Sequence, residues 1–223
     1  MTAKRLGAVC VSTLVILLGS FHPAAAAETG TREYNFNIFL GQRVGQGQLP
    51  LGQRSVSSSW APYEHYNQIG LQSSWGKKDA LLLFAWDVFY SADKITTDGG
   101  VGPSLHSKTW QFNPGFRKFW FLKKSFMPYL GIGGVYVTAD YEYLNQVVVQ
   151  DVVYKTVQVD MDHSWGFWMD GGFMFRAGST MNIGVSVRWE AIKPFNIAGE
   201  SRSGNTLNVG LLLGWGSKYE AAK

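Results

Sequence analysis

The residues of this chain best equipped for chemistry are a few histidines and a set of opposed charges. Beyond residue 27 the histidines are His65, His106 and His163. Acyl transfer needs a nucleophile with a base in hydrogen-bond reach, held by a third group. His106-Ser107 and His163-Ser164 are chain neighbours, and in an extended strand neighbouring side chains point to opposite faces. That spacing parts each base from its hydroxyl, while a cross-strand meeting such as His163 with Ser104 stays open. No His-Glu-x-x-His or comparable spacing marks a metal site, and no glycine-rich loop opening a helix offers a phosphate cradle. The histidines read as polar rim residues, with no catalytic residue, metal or cofactor expected.

The second group is Asp87, Arg117, Asp170, Arg176, Arg188 and Glu190. Each falls on the polar side of a stretch that alternates polar with apolar, so all six share one side of a sheet. Three acids and three bases in a narrow lumen can pair, whereas an unpaired charge there is costly. They read as a lumen charge network plugging the interior; an ion path or gate is the other use of the same residues.

Strands of two-residue period must position such charges, and eight stretches have that period: 32–42, 64–75, 80–91, 107–121, 127–141, 162–176, 180–192 and 205–217. The links 76–79, 122–126 and 177–179 are short; 43–63, 92–106, 142–161 and 193–204 are long. Short turns at one rim and long loops at the other are the pattern of membrane-spanning barrels. The expected fold is all-β, an eight-stranded antiparallel up-and-down transmembrane β-barrel.

The faces opposite the charges are apolar. Phe36, Ile38 and Leu40, Phe84, Trp86 and Val88, Phe167 and Met169, and Leu207, Val209, Leu211 and Leu213 are expected to face lipid. Aromatic girdles are expected at both rims, with Tyr34, Trp75, Trp120, Phe175 and Trp215 at the short-turn rim and Trp110, Trp165 and Trp189 at the long-loop rim. Trp110 and Trp120, ten positions apart, would stand about 25 Å apart along the membrane normal, the height of a lipid-facing band. Leu211→Arg is expected to cost about 2–4 kcal/mol, and Asn208→Arg less if that side faces the lumen.

Residues 1–27 read as a secretory signal peptide and 28–223 as the barrel domain. Lys4 and Arg5 precede an apolar run from Leu6 to Leu18, and Ala25 and Ala27 suit cleavage after Ala27. That apolar run is too short for a spanning helix of about 20 residues. Removing residues 1–27 leaves 196 residues and takes Cys10, the one cysteine, so no disulfide or thiol chemistry is expected. Losing Lys4 and Arg5 leaves 18 basic against 16 acidic residues, a net charge of +2 instead of +4. With no basic cluster beyond a Lys-Lys pair, nucleic acid is not an expected partner.

Inward glycines, including Gly41, Gly70, Gly115, Gly131, Gly133, Gly172, Gly184, Gly210, Gly214 and Gly216, suit tight curvature. They could equally line a cavity beside Phe39, Leu81 and Leu83, which are also read as inward. Pro114 removes a ladder hydrogen bond and reads as a tolerated kink, or else as a bulge or lateral opening. Residues 146–160 are valine-rich and alternate, which predicts a hairpin protruding past the bilayer whose free edge could recruit an extracellular partner.

Two short motifs carry a resemblance. Asn208-x-Gly210-x-x-Leu213-x-Trp215 resembles the last-strand assembly signal of outer-membrane proteins, and Pro128-Tyr129-Leu130-Gly131-Ile132-Gly133 is similar to a stretch frequent in small outer-membrane barrels. Over 34–215 the chain resembles the small eight-stranded bacterial outer-membrane barrels of the OmpA-barrel, OmpX and OmpW kind. The resemblance implies a Gram-negative cell outer membrane, contact with its lipids and lipopolysaccharide, delivery by the outer-membrane assembly machinery, and a monomer. The implied role is non-enzymatic, structural or surface-interacting. A narrow, porin-like channel or binding protein for small apolar solutes is the alternative, and a lipid A-modifying acyl hydrolase or transferase the third.

Overall fold

The computed structural model describes residues 32–45, 65–77, 80–96, 104–120, 125–149, 152–178, 180–197, 200–202 and 204–217. The expected leader, residues 1–27, and the boundary at 28 lie outside the described residues.

The described residues form ten strands: β1 (Arg32–Gly45), β2 (His65–Lys77), β3 (Leu83–Thr96), β4 (Ser104–Phe119), β5 (Phe126–Val149), β6 (Val152–Ala177), β7 (Met181–Ile192), β8 (Phe195–Ile197), β9 (Glu200–Arg202) and β10 (Thr206–Gly216). Eight of them close an antiparallel barrel in the order β1-β10-β7-β6-β5-β4-β3-β2, while β8 and β9 pair separately within the last long connection. The sequence did not foretell that small hairpin. It did foretell the eight barrel strands and their up-and-down order.

The period of two follows from composition. Along β10 the apolar Leu207, Val209, Leu211, Leu213 and Trp215 are exposed, and Thr206, Asn208, Leu212 and Gly214 are buried. The same alternation runs through β1, β4 and β7. Closure of the sheet leaves no edge over the barrel, so every backbone group there has a strand beside it. The result inverts a water-soluble protein: Ile69, Leu130, Ile132, Phe116 and Leu211 are exposed, while Asp87, Arg117, Asp170, Arg188 and Glu190 are buried.

Each of the seven ladders described keeps one register from end to end, so none contains a bulge. Between β4 and β5 the pairing passes from Phe112↔Tyr136 to Gly115↔Gly133, skipping Asn113 and Pro114 without a shift. Proline lacks the N–H that a ladder bond needs. Pro114 therefore interrupts hydrogen bonding and leaves register intact, which corrects the bulge reading.

β5 and β6 have 24 and 26 residues, against 12 in β7 and 11 in β10. About 9–11 tilted residues suffice to cross a bilayer. The β5–β6 ladder runs unbroken from Phe126↔Phe175 to Val149↔Val152. β7 leaves β6 at Gly166↔Ile192, and β4 leaves β5 at Ser104↔Leu144. Above that level β5 and β6 pair only with each other among the described residues. The link read as long, 142–161, is thus mostly strand, in keeping with the hairpin expected there.

Candidate functional site: a closed lumen beneath a protruding hairpin

Four charges meet at mid-barrel. Asp87 comes from β3, Arg117 from β4, Asp170 from β6 and Arg188 from β7. Arg117 donates from Nη1 to Asp87 Oδ1 at 3.0 Å and from Nη2 to Asp87 Oδ2 and Asp170 Oδ2, each at 2.5 Å. Its Nε donates to Asp170 Oδ2 at 3.2 Å. Arg188 Nη2 donates to Asp170 Oδ2 at 2.8 Å and also pairs with Asp87 Oδ2. The backbone N–H of Ser73 donates to Asp87 Oδ1 at 3.3 Å. In this ring of eight, β3 and β7 are diametrically opposite, so the Asp87–Arg188 pair crosses the lumen from wall to wall.

Apolar rings complete the plug. The Arg188 guanidinium carbon lies 4.4 Å from the centre of the Trp168 ring and 4.7 Å from that of Phe89; Arg117 lies 5.5 Å from Trp168 and 5.7 Å from Tyr129. Two acids and two bases cancel, and ring faces supply further stabilisation of the cations. Removing one member alone would leave an uncompensated buried charge.

Arg176 and Glu190 of the six-residue set stand outside the hydrogen-bonded quartet, though the Glu190 charge still acts on Arg188. Arg176 sits six residues along β6 from Asp170, about 20 Å away along the strand. There it donates to Ser217 O at 2.6 Å, Asn35 Oδ1 at 3.0 Å and Asn182 Oδ1 at 3.2 Å, tying β6 to β1, β7 and the end of β10 at the short-turn rim. Glu190 lies one inward position beyond Arg188, toward the long loops. Its Oε2 accepts from Gln111 Nε2 at 3.0 Å and Thr206 Oγ1 at 2.8 Å, and Gln68 Nε2 donates to Gln111 Oε1 at 3.1 Å.

The glycines act as seats for rings. A β-carbon on Gly115, Gly131 or Gly133 would stand 2.5–3.0 Å from the Trp168 indole, and one on Gly41 or Gly210 would stand 2.5–2.6 Å from the Phe39 ring. Tyr129 lies over Gly172 in the same way. Phe39, Leu83, Phe89, Phe119, Met127, Tyr129, Met174 and Leu212 form a buried cluster inside the barrel. Where a cavity was the alternative reading, side chains stand. Leu81, read as inward, is 74 % exposed, because it precedes β3 and belongs to the turn. Trp168 was not singled out from sequence, although it shares the inward parity of Asp170 and opposes Gly133.

Gly131 has a particular duty. It lies between Arg117 on β4 and Asp170 on β6 in one cross-strand row. A β-carbon there would collide with the Asp170 carboxylate and come within 2.8 Å of Arg117 Cγ. We expect Gly131→Val to destabilise the barrel by about 1–3 kcal/mol through overpacking. Gly134→Val, on the outer face with its nearest neighbour 3.9 Å away, should be close to neutral. Urea unfolding in lipid vesicles, followed by tryptophan fluorescence, measures both.

The other named residues are placed as follows. Trp75, Trp120, Phe175, Trp215 and Trp165 are exposed on the outer face, and Tyr34, Trp110 and Trp189 partly so. Trp110 packs against Tyr90, Trp189 against Phe167, and Trp75 against Phe84. On β10, Asn208 and Gly210 turn inward while Leu213 and Trp215 turn outward. Asn208 is buried between Arg43 and Arg188 in register, so Asn208→Arg would crowd a third guanidinium between two. We therefore expect Asn208→Arg to destabilise the barrel as well.

His163 is exposed, 6.1 Å from the Tyr136 ring, while Ser164 is buried and donates from Oγ to Lys193 O at 2.8 Å. His106 and Ser107 likewise differ in burial, Ser107 being enclosed. His65 opens β2, but its side chain lies outside the described residues. Ser104 pairs with Leu144, which pairs with Val157, six positions along β6 from His163. No base and hydroxyl meet through these pairs, and no group of His, Cys, Asp and Glu able to hold a metal occurs among the described residues.

On the hairpin, Val157, Val159 and Met161 are 54 %, 70 % and 68 % exposed. They extend the outer apolar face of β6 beyond Trp165. The last connection folds back toward β6: Lys193 N donates to Trp165 O at 3.1 Å, and Asn196 N to Asp162 Oδ2 at 2.7 Å. Phe195 and Ile192 are buried, and a β-carbon on Gly204 would touch both.

No family model and no curated protein matches the chain. Among solved structures, Neisserial surface protein A matches with a TM-score of 0.51 and 12 % identity, over 86 % of this chain and 98 % of that one. Ail, the attachment invasion locus protein of Yersinia pestis, in complex with the heparin analogue sucrose octasulfate, matches with a TM-score of 0.51 and 10 % identity, over 83 % and 99 %. The fold is that of these eight-stranded outer-membrane barrels.

Proposed function

We propose that this chain is an outer-membrane protein whose barrel is an anchor and whose working part is the β5–β6 hairpin, in a structural or surface-interaction role without catalysis. The observation that carries the reading is the Asp87–Arg188 pair across the lumen, set beneath a hairpin that outruns its neighbours. A path for small apolar solutes along the axis would meet four charges and Trp168. Lipid A acyl chemistry would need a nucleophile beside a base, and along the strands His106 and Ser107, like His163 and Ser164, differ in burial. The two solved structures named above carry surface or attachment in their names, which agrees with this role. On this reading the barrel works as a monomer among outer-membrane lipids and lipopolysaccharide, and Asn208, Gly210, Leu213 and Trp215 present the last strand to the assembly machinery.

The test joins planar-bilayer recording to cell attachment. The intact chain should give no conductance steps, and deleting residues 146–160 should abolish attachment of expressing cells while the barrel keeps its heat-dependent gel mobility. Steady conductance with attachment untouched by the deletion would assign the function to the lumen instead.

A further inference from the structure

We infer that the outward corner where β7 gives way to its loop, built from Lys193, Trp165 and His163, binds a phosphate of an outer-leaflet lipid headgroup. The inference rests on the membrane reading above, in which the long loops face outward among lipids and lipopolysaccharide, and it gives that contact its residues.

The cation of this corner is fixed through its backbone. Lys193 directly follows β7, and its N–H donates to Trp165 O at 3.1 Å. Its carbonyl accepts from Ser164 Oγ at 2.8 Å, and the N–H of Ile192 just before it donates to Asn205 Oδ1 at 3.0 Å. The buried hydroxyl beside His163 thus has a task, which is to hold the lysine in place. Pinned in this way, the Lys193 ammonium lies 3.6 Å from the centre of the Trp165 ring. The indole face attracts the cation and covers one side of it, leaving ammonium donors for an anion.

Lys193 forms no ion pair among the described residues. Asp162, the acid of this corner, accepts from His163 N on Oδ1 at 2.8 Å and from Asn196 N on Oδ2 at 2.7 Å. Lys108 on β4 differs, because it opposes Asp140 in register and its charge acts on that carboxyl group. His163 is exposed two residues from Trp165 on the same outward face of β6. Its ring N–H adds a donor beside the ammonium.

Depth selects the anion. Indoles at a membrane rim sit at headgroup level, so a lysine held on Trp165 stands where lipid phosphates lie. Basic sites at that depth take up lipid headgroups. Below Trp165 on β6, Phe167 and Met169 are exposed on the same face. A free phosphate would use the polar donors alone, whereas a phospholipid or glycolipid also lays its chains along those side chains.

The experiment records native mass spectra of the full chain in dodecyl maltoside with bis-phosphorylated lipid A added. Wild type should carry a lipid A adduct, and several-fold less adduct when the lipid has lost its phosphates. Lys193→Gln and Trp165→Leu should each lower the adduct several-fold, Lys193→Arg should retain it, and Lys108→Gln should leave it within about twofold. Heat-dependent gel mobility identifies the folded variants, and Lys193→Arg separates charge from packing. An adduct untouched by Lys193→Gln, or equal for the dephosphorylated lipid, would overturn the site. Displacement by excess inorganic phosphate would overturn the lipid as its ligand. Either failure leaves attachment through residues 146–160 as it was, so the site and the surface reading fall separately.

Discussion

Arg188→Met should cost the barrel about 3–5 kcal/mol, the effect expected when one member of a buried ion-paired group is removed. Asp87 and Asp170 would then share Arg117 alone, leaving one uncompensated negative charge among Trp168, Phe89 and Tyr129. Water cannot readily screen it, because Asp87, Arg117 and Asp170 are each under 5 % exposed. Adding Asp87→Asn to Arg188→Met should recover most of the loss, since the remaining Arg117–Asp170 pair is neutral. Urea unfolding midpoints in vesicles compare the single and double variants. A double variant as unstable as the single would mean that the cost arises from lost packing against Trp168 and not from charge.

The second large effect contrasts two outward apolar residues. Leu211 lies midway along β10, two positions from Val209 and Leu213 on the same exposed face. Leu211→Arg should destabilise by about 2–4 kcal/mol, the depth-dependent cost of a cation on the lipid face. Val159 is even more exposed, at 70 % against 57 %, yet stands on the hairpin beyond Trp165. Val159→Arg should stay within about 0.5 kcal/mol of wild type, as surface substitutions do. Exposure alone predicts equal effects; hydrocarbon around one site and water around the other predicts the difference. The same unfolding assay reads both.

Parity along the strands was legible in the sequence, and it carried most of the fold. Between Leu207 and Trp215 the outward apolar residues alternate with Asn208, Gly210, Leu212 and Gly214, of which only Leu212 is large and apolar, and that pattern separated outside from inside. Parity gives a face, however, and not a height. Arg176 and Glu190 share the inward face with Asp170 and Arg188, but six residues of strand put Arg176 at the short-turn rim. Glu190, one inward position away, spends its hydrogen bonds on Gln111 and Thr206. Which charges meet across a lumen depends on strand tilt and closure, and no local pattern encodes those.

The glycines illustrate the same limit. Gly115, Gly131 and Gly133 signal close approach, but the thing approaching, Trp168, comes from β6, the neighbour of β5 and separated from β4 by one strand. Only the register joins them. The hairpin was the easier case, since the valines of 147–149 and 152–153 favour strand locally. Leu81 was misplaced because the alternation was carried two residues past the true start of β3 at Leu83.

The most direct test follows the outer face of β6 through the membrane. Single cysteines at Phe173, Met169, Phe167, Met161, Val159 and Val157 would be spin-labelled in vesicles, and their accessibility to dissolved oxygen and to a water-soluble nickel chelate compared. The first three should favour oxygen and shun nickel, with a crossover near Trp165 and nickel dominant at the last three. Nickel access at all six positions would mean that water surrounds the whole barrel, and the membrane anchor with its protruding hairpin would be refuted.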